Sequence, residues 1–145
     1  MSVGRWESSR EGRDVAEVDK SEKITINIGL VDLGQIDLLV DEGFYANRTD
    51  FIRTAIRRQL ETRSGSVNDT VSRRALTLGT QHYSRRELEE LRSAGRTIEL
   101  RVLGLATLAD DVSPDLALAT IASVEVLGAF RAPRAVKAAL APRTV

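Results

Sequence analysis

The chain has 145 residues, of which 42% are hydrophobic and only 4% aromatic, and its 21 Lys and Arg residues balance its 21 Asp and Glu residues. This length fits one ordinary domain or two very small ones, with a core built from Leu, Ile, Val and Ala. The absence of cysteine excludes disulfides and thiolate zinc sites, and the single histidine argues against a histidine-rich metal cage. No apolar run approaches the ~20 residues of a membrane-spanning helix, so a cytoplasmic protein is expected. Zero net charge at first argues against a nucleic-acid binder.

Composition divides the chain into four parts. Residues 1–21 are polar and mixed in charge, so they cannot offset the entropy that ordering costs and are predicted to be a flexible arm. Residues 22–63 are densely patterned. Residues 64–70 are rich in Ser, Gly, Asn and Asp and are predicted to be a linker. Residues 71–145 form a second patterned unit.

The second of these parts opens with a strictly alternating strand over residues 23–28. Three isoleucines point to one side of it, and the other side carries Lys23, Thr25 and Asn27. Gly29 ends the strand. A helix is then predicted from Leu30 to Glu42, and a second helix from the N-cap Asn47 to about Arg63.

A unit with a single strand cannot stand alone, because an unpaired strand leaves its backbone donors and acceptors unmatched. Two copies remove this problem if their strands pair antiparallel and bury the isoleucines against four helices. The polar side chains of both strands then remain on an open face. The sequence therefore predicts an obligate dimer through residues 22–63.

The order of these features resembles the ribbon-helix-helix family, the MetJ and Arc type of bacterial and archaeal repressors. The resemblance covers about 40 of the 145 residues. It rests on the alternating strand, a helix that ends in Glu-Gly-Phe-Tyr, and Asn-Arg-Thr at the start of a helix that continues with Phe51-Ile52-Arg53. The resemblance implies a β-α-α fold, an intertwined dimer, and a two-stranded ribbon that enters the DNA major groove.

The resemblance also implies roles for two sets of residues. The ribbon residues that would read base edges are Lys23, Thr25 and Asn27, and the helix-start residues that would bind phosphate are Asn47, Arg48 and Thr49. A lysine can donate to guanine and an asparagine can pair with adenine, while a helix N-terminus favours an anion. The alternative is a merely solvated strand face and a simple helix cap. The chain departs from the family in having Gly29 where many members have proline.

The second unit repeats a strand and a helix. Leu-Gly recurs at intervals of 25 and 24 residues, each time within or at the end of an apolar run, at Leu78-Gly79, Leu103-Gly104 and Leu127-Gly128. The runs cover residues 75–78, 98–103 and 124–127, and the helix-like segments open at Ser84, Ser113 and Pro133. This period predicts an α/β unit with parallel strands, solenoid-like in its stacking. A compact α/β domain with an accidental period is the alternative.

No motif for cofactor binding, metal binding or catalysis is present in this unit. The pair His82-Tyr83 is interpreted as a strand end, because no nucleophile or orienting carboxylate lies near it in sequence. Asp110, Asp111 and Asp115 could together hold a divalent cation, but an exposed turn leading into the second helix-like segment is the simpler explanation, because negative charge is favourable at a helix N-terminus. We therefore expect no catalytic residue, cofactor or metal, and no enzyme.

These patterns predict a DNA-binding transcriptional regulator, a repressor, that dimerises through its ribbon and associates with the nucleoid. The C-terminal unit is predicted to oligomerise or to bind a protein partner. The alternative is an antitoxin-like or architectural interaction module. Neutral charge then implies weak non-specific DNA binding and a shallow salt dependence, so several dimers on one operator would supply the affinity.

Overall fold

The computed structural model describes residues 20–145, so residues 1–19 of the predicted arm lie outside the described residues. The described part begins with a segment, residues 20–29, that pairs with no strand of the described chain. The elements that follow are α1 (Leu30–Asp41), α2 (Arg48–Thr62), α3 (Ser64–Arg73), β1 (Thr77–Tyr83), α4 (Arg85–Ser93), β2 (Ile98–Leu108), α5 (Pro114–Thr120), β3 (Ile121–Arg131) and α6 (Arg134–Leu140). None of the helices between residues 20 and 145 is long and apolar enough to cross a membrane.

Local signals place the first two helices where the sequence predicts them. Gly43 ends α1 with a positive φ of 82°, and the Phe44 N–H reaches back 2.9 Å to the Leu39 carbonyl, which is the geometry of a glycine C-cap. Asn47 caps α2, because its side-chain oxygen accepts the N–H of Asp50 at 2.8 Å. Both helix boundaries therefore agree with the predicted ones within a residue or two.

This first unit has no core of its own in the single chain. Ile36 is the only buried residue of α1, and α2 has none. Ile24 and Ile26 are 72% and 63% exposed, and Leu60 is 59% exposed. The strand predicted over residues 23–28 is absent from the single chain, because a strand is defined by its pairing and the described chain supplies no partner.

The predicted linker is a helix. Residues 64–70 belong to α3, which follows α2 after a break at Arg63. The prediction of a linker gave too much weight to the Ser and Gly content of the segment. Val67 and Val71 stand one helical turn apart and are both half-buried, so packing of one face outweighs the weak helix propensity.

The second unit is built on a parallel three-stranded sheet in the order β1-β2-β3. The three Leu-Gly pairs of the sequence repeat lie side by side in the register of the sheet: Leu78, Leu103 and Leu127 form one row, and Gly79, Gly104 and Gly128 the next. The mixed α/β class and the parallel strands are confirmed. The sheet has three strands, and the solenoid stays a prediction.

The strands continue past the glycines, whereas the predicted strands ended there. Each of the three glycines has a φ between 119° and 139°, a region open to glycine, so all three strands change direction together and remain paired. A Cβ at Gly104 would lie 2.1 Å from the Gly79 carbonyl oxygen, and one at Gly128 would lie 2.1 Å from the Gly104 oxygen. Glycine is therefore required by the neighbouring strand as well as by φ.

The core lies between the sheet and the helices α4, α5 and α6. Ser84 opens α4 with the predicted capping box, and Ser113 caps α5 in front of Pro114. The largest fully buried apolar side chains are Leu88, Leu100, Val102, Ile121, Val124, Val136 and Leu140. Most of these residues belong to β2, β3 and the helices, and none belongs to β1.

Candidate nucleic-acid interface

The predicted base-reading side chains are all exposed on the segment before α1. Lys23, Thr25 and Asn27 alternate there with Ile24 and Ile26, which are exposed as well. The segment thus offers a polar row and an apolar row, and neither is covered by another described part of the chain. Its backbone is available to pair with a second strand.

The last residue of β3 holds the beginning of this segment. An Nη2 donor of Arg131 lies 2.9 Å from the Ser21 carbonyl oxygen and 3.0 Å from Glu22 Oε2. The residue directly before Lys23 is therefore tied to the C-terminal sheet. Sequence reasoning missed this contact, because the partners are 109 and 110 residues apart and no local pattern relates them.

The predicted phosphate-binding residues lie together at the start of α2. The first intrahelical hydrogen bond runs from the Phe51 N–H to the Asn47 carbonyl, and the Asn47 side chain takes the N–H of Asp50. The N–H groups of Arg48 and Thr49 come before these bonds and point away from the helix, as the first N–H groups of any helix do. Such groups bind anions readily.

The Arg48 side chain already has an anionic partner in the chain. Its Nε lies 2.7 Å from Asp37 Oδ1 and its Nη2 lies 2.9 Å from Oδ2, so the guanidinium binds the carboxylate with two parallel hydrogen bonds. The Arg48 hydrogen bonds hold the pKa of the Asp37 carboxyl below its usual value, and the carboxylate raises the pKa of Arg48. Both side chains remain about half exposed, at 48% and 57%. A phosphate at this helix start would compete with Asp37, which the sequence had not indicated.

An apolar hollow separates α1 and α2 on their uncovered side. Its volume is about 290 Å³, and Ile36, Leu39 and Phe51 form its apolar lining. The Tyr45 ring packs edge-to-face against the Phe51 ring of this lining, with 5.0 Å between the ring centroids. A hollow of this shape between two short helices can receive apolar side chains from another chain.

The described residues hold no group of three or more side chains that could bind a metal ion. His82 Nδ1 lies 2.6 Å from Thr107 Oγ1 on the neighbouring strand, in the manner of a strand residue with a hydrogen-bonding neighbour. Asp111 shares a polar hollow of about 260 Å³ with Arg85, Glu89 and Arg92, in which Arg85 pairs with Glu89 at 2.8 Å. Neither feature adds to the nucleic-acid interface.

Comparison with known families places the chain in the Ribbon-Helix-Helix transcriptional regulator family, whose model matches residues 19–137. The chain belongs to this family, and it is therefore a DNA-binding transcription regulator by family. The match includes α3, the whole C-terminal sheet and its helices as far as the first half of α6, so the C-terminal unit is part of the family pattern. No curated protein and no solved structure matches the chain.

Proposed function

We propose that this regulator is a sequence-specific repressor that binds DNA as a dimer, with the paired 20–29 segments of two copies in the major groove. The observation that carries the proposal is the exposed segment itself, in which a polar row alternates with an uncovered isoleucine row. In a single chain, both the polar row and the isoleucine row are exposed to solvent. A two-stranded ribbon covers the isoleucines with the helices and keeps the polar row outward.

The uncovered apolar side chains of the first unit support the dimer. Ile24 and Ile26 on the segment, and Ile56 and Leu60 on α2, are each 48% to 72% exposed. Burying such side chains contributes about 25 cal/mol for every Å² of apolar surface removed from water. The hollow beside Ile36 and Phe51 gives the partner's side chains a place to enter.

The polar row supplies the chemistry of base recognition. Lys23 can donate to guanine O6 and N7, and Asn27 can form paired hydrogen bonds with adenine N6 and N7. Thr25 can donate or accept a hydrogen bond, or it can place its methyl group against thymine. A dimer doubles each of these contacts about a two-fold axis, which suits an operator with two related half-sites.

The start of α2 supplies the phosphate contacts that set the position of the ribbon. The N–H groups of Arg48 and Thr49, held by the Asn47 cap, would bind one phosphate oxygen in each copy. The Arg48 side chain would exchange Asp37 for the phosphate. Contacts of this kind give affinity without sequence preference.

The C-terminal unit is proposed to assemble dimers on the operator. The 20–63 unit carries equal numbers of basic and acidic residues, and few phosphate contacts are available to a single dimer. Linking dimers raises the affinity of each for its neighbouring site. We place this repressor on chromosomal DNA in the cytoplasm.

An antitoxin-like role is the second candidate, and one observation favours it. Leu78 and Leu127 on the sheet are 61% and 44% exposed, so the C-terminal unit offers apolar surface to a protein partner. Co-purification of a stoichiometric foreign protein from cells that express the full chain would support this role over the repressor.

The test of the DNA-reading role is the double variant Lys23→Ala with Asn27→Ala. Operator fragments are first selected from genomic DNA with the unchanged protein. Because each paired base contact contributes about 1–3 kcal/mol of discrimination, we expect the variant to lose at least about 100-fold in operator affinity at constant salt. The helicity and the melting temperature should stay close to those of the unchanged protein, because both side chains are exposed.

A matched control removes the same two side-chain types elsewhere. Lys137→Ala with Asn68→Ala changes an exposed lysine on α6 and an exposed asparagine on α3. This control should bind the operator within about threefold of the unchanged protein. Equal affinity of the test variant and the control would remove the ribbon from the DNA-reading role.

A further inference from the structure

The outer edge of β1 is bare. β1 pairs with β2 on one side, and no strand between residues 20 and 145 pairs with it on the other. The four residues from Thr77 to Thr80 are all exposed, although parallel sheets are normally covered on both faces. Of this strand, Tyr83 packs against the core, whereas residues 77–80 contribute nothing to it, so the sheet is uncovered over the first half of β1.

The opposite edge of the sheet is partly protected. The Val145 N–H donates to the Val124 carbonyl at 2.9 Å, and Thr144 forms a bridge with Val124, so the C-terminal residues occupy the beginning of the β3 edge. Beyond this point, no described strand pairs with the outer side of β3 over residues 126–131. These residues are the register equivalents of residues 77–82 in β1.

The two edges have complementary backbone shapes. The Gly79 carbonyl oxygen points at the Cα of Gly104, and the Gly104 oxygen points in the same way at Gly128. Because Gly128 stands in the same register on a parallel strand, its oxygen is expected to face the outer side of β3 in the same way. The corresponding side of Gly79 has nothing within 4 Å. Gly79 therefore leaves open the space that the carbonyl of a neighbouring strand occupies at Gly104 and Gly128.

The side chains and the helices continue the same pattern. Leu78 is 61% exposed at one end of the leucine row, and Leu127 is 44% exposed at the other. Each strand is followed by one helix, α4 after β1, α5 after β2 and α6 after β3. A second copy placed with its β1 beside β3 would extend the leucine row, the glycine row and the strand-helix order without interruption.

We propose that the C-terminal units assemble head to tail, with β1 of one copy pairing in parallel with the 126–131 edge of β3 in a second copy of the same chain. Leu78 then lies beside Leu127 and Gly79 beside Gly128. This inference deepens the assembly role under the proposed function by giving it an interface. Because the two edges differ, the contact does not close on itself in a pair, and it joins ribbon dimers into longer arrays.

The first test exchanges apolar contacts for charges at the two edges. Leu78→Lys and Leu127→Glu each place an unpaired charge in the contact, as charged residues on natural edge strands do. The full-length protein should increase in mass with concentration beyond a dimer, and each single variant should stay a dimer, as measured by light scattering without DNA. The chain with both changes should assemble again, because each contact then pairs Lys with Glu.

The matched control is Leu103→Lys, which changes the middle leucine of the same row on the central strand. It should assemble like the unchanged protein, since Leu103 lies away from both edges. If Leu103→Lys abolishes assembly as fully as Leu78→Lys does, the sheet face and not the edge is the contact, and the proposal is wrong. A full-length protein that stays a dimer at every concentration contradicts it equally.

The second test uses cysteine pairs, which is straightforward because the chain has no cysteine. Thr80 and Ala129 share a register position on the two outer strands, and each variant carries only one of the two cysteines, so a cross-link between these positions can form only between copies. Across the proposed contact they are neighbours. A mixture of Thr80→Cys and Ala129→Cys proteins should give a cross-linked hetero-pair with a short bis-maleimide at least tenfold faster than either protein alone.

The cysteine test also separates the alternatives. Rapid self-cross-linking of Thr80→Cys would mean that two β1 strands meet each other, which overturns head-to-tail pairing. No cross-link in any mixture overturns it as well. Because neither measurement involves DNA, loss of assembly leaves operator binding by the dimer to be judged separately.

Discussion

Arg48 is placed to exchange one anion for another. Its two hydrogen bonds to Asp37 hold the guanidinium at the start of α2, next to the N–H groups that suit a phosphate. Asp37 therefore positions Arg48, and under the proposed function it also competes with DNA for it. The balance between these two effects sets how much Arg48 contributes to affinity.

Asp37→Asn is predicted to tighten DNA binding. The amide keeps the shape of the side chain but removes the charge that holds Arg48, so the guanidinium becomes free for phosphate. We expect higher affinity for all DNA sequences alike, and a salt dependence steeper by about one to two counterions per dimer, measured by fluorescence anisotropy between 50 and 300 mM salt. Weaker binding together with a lower melting temperature would show instead that Asp37 mainly builds the helix pair.

Glu125 gives the C-terminal unit a measurable pH response. Arg74 lowers the pKa of the Glu125 carboxyl by donating a hydrogen bond to Oε1, and Arg101 adds to this from 3.3 Å. A carboxyl whose pKa falls on folding stabilises the fold above its unfolded pKa, about 4.3, and this contribution is lost as pH decreases through the lower folded value.

Glu125→Gln should therefore melt at a lower temperature than the unchanged protein at pH 7, and the two melting temperatures should converge as the pH decreases through the lowered pKa of the folded carboxyl. Thermal unfolding followed by circular dichroism from pH 7 to pH 2 measures this. Glu99→Gln, an exposed change on β2 without an ion pair among the described residues, serves as the control. A constant difference at all pH values would mean that shape and not charge is what Glu125 contributes.

Among the elements, the sheet depends on close approach at its glycines. Gly79→Ala and Gly104→Ala both place an alanine at a φ above 120°, which costs about 1–3 kcal/mol in either case. Only Gly104→Ala also sets a Cβ 2.1 Å from a neighbouring carbonyl oxygen, and that oxygen belongs to rigid backbone. We expect Gly104→Ala to melt at a clearly lower temperature than Gly79→Ala.

This comparison is made at low protein concentration, so that contacts between copies do not contribute. Equal melting temperatures would show that backbone strain alone accounts for these glycines and that the strands can move apart without loss. Both glycines have a positive φ, but only Gly104 faces a neighbouring carbonyl oxygen, so the comparison separates backbone strain from steric clash within one sheet.

For the whole molecule, the even charge balance limits how DNA is held. The proposed dimer would offer two helix N-termini and two Arg48 side chains as phosphate contacts. We predict that the logarithm of operator affinity decreases with the logarithm of salt concentration with a slope of about −2 to −4 for one dimer on one site. A slope near −8 or steeper would reveal a basic surface much larger than the interface described.

The features that the sequence determined by itself are those with local causes. The caps at Asn47 and Ser84, the glycine end of α1 and the parallel strand-helix repeat depend on residues a few positions apart or on a regular period, and both are visible in one dimension. The family followed from the same kind of evidence. The prediction of a linker over residues 64–70 was wrong, because it rested on the Ser and Gly content and not on the apolar face that Val67 and Val71 form in the helix.

The tertiary structure decided everything that depends on distant partners. The strands continue past their glycines, although a single glycine would be expected to end a strand. They do so because the neighbouring strands bend in the same way and stay paired. In the fold, Arg131 donates hydrogen bonds to Ser21 and Glu22, and Arg48 donates to Asp37. The tertiary structure also showed one edge of the sheet bare and its opposite edge of matching shape. These contacts arise from chain packing between residues that no local pattern and no repeat in the sequence relates.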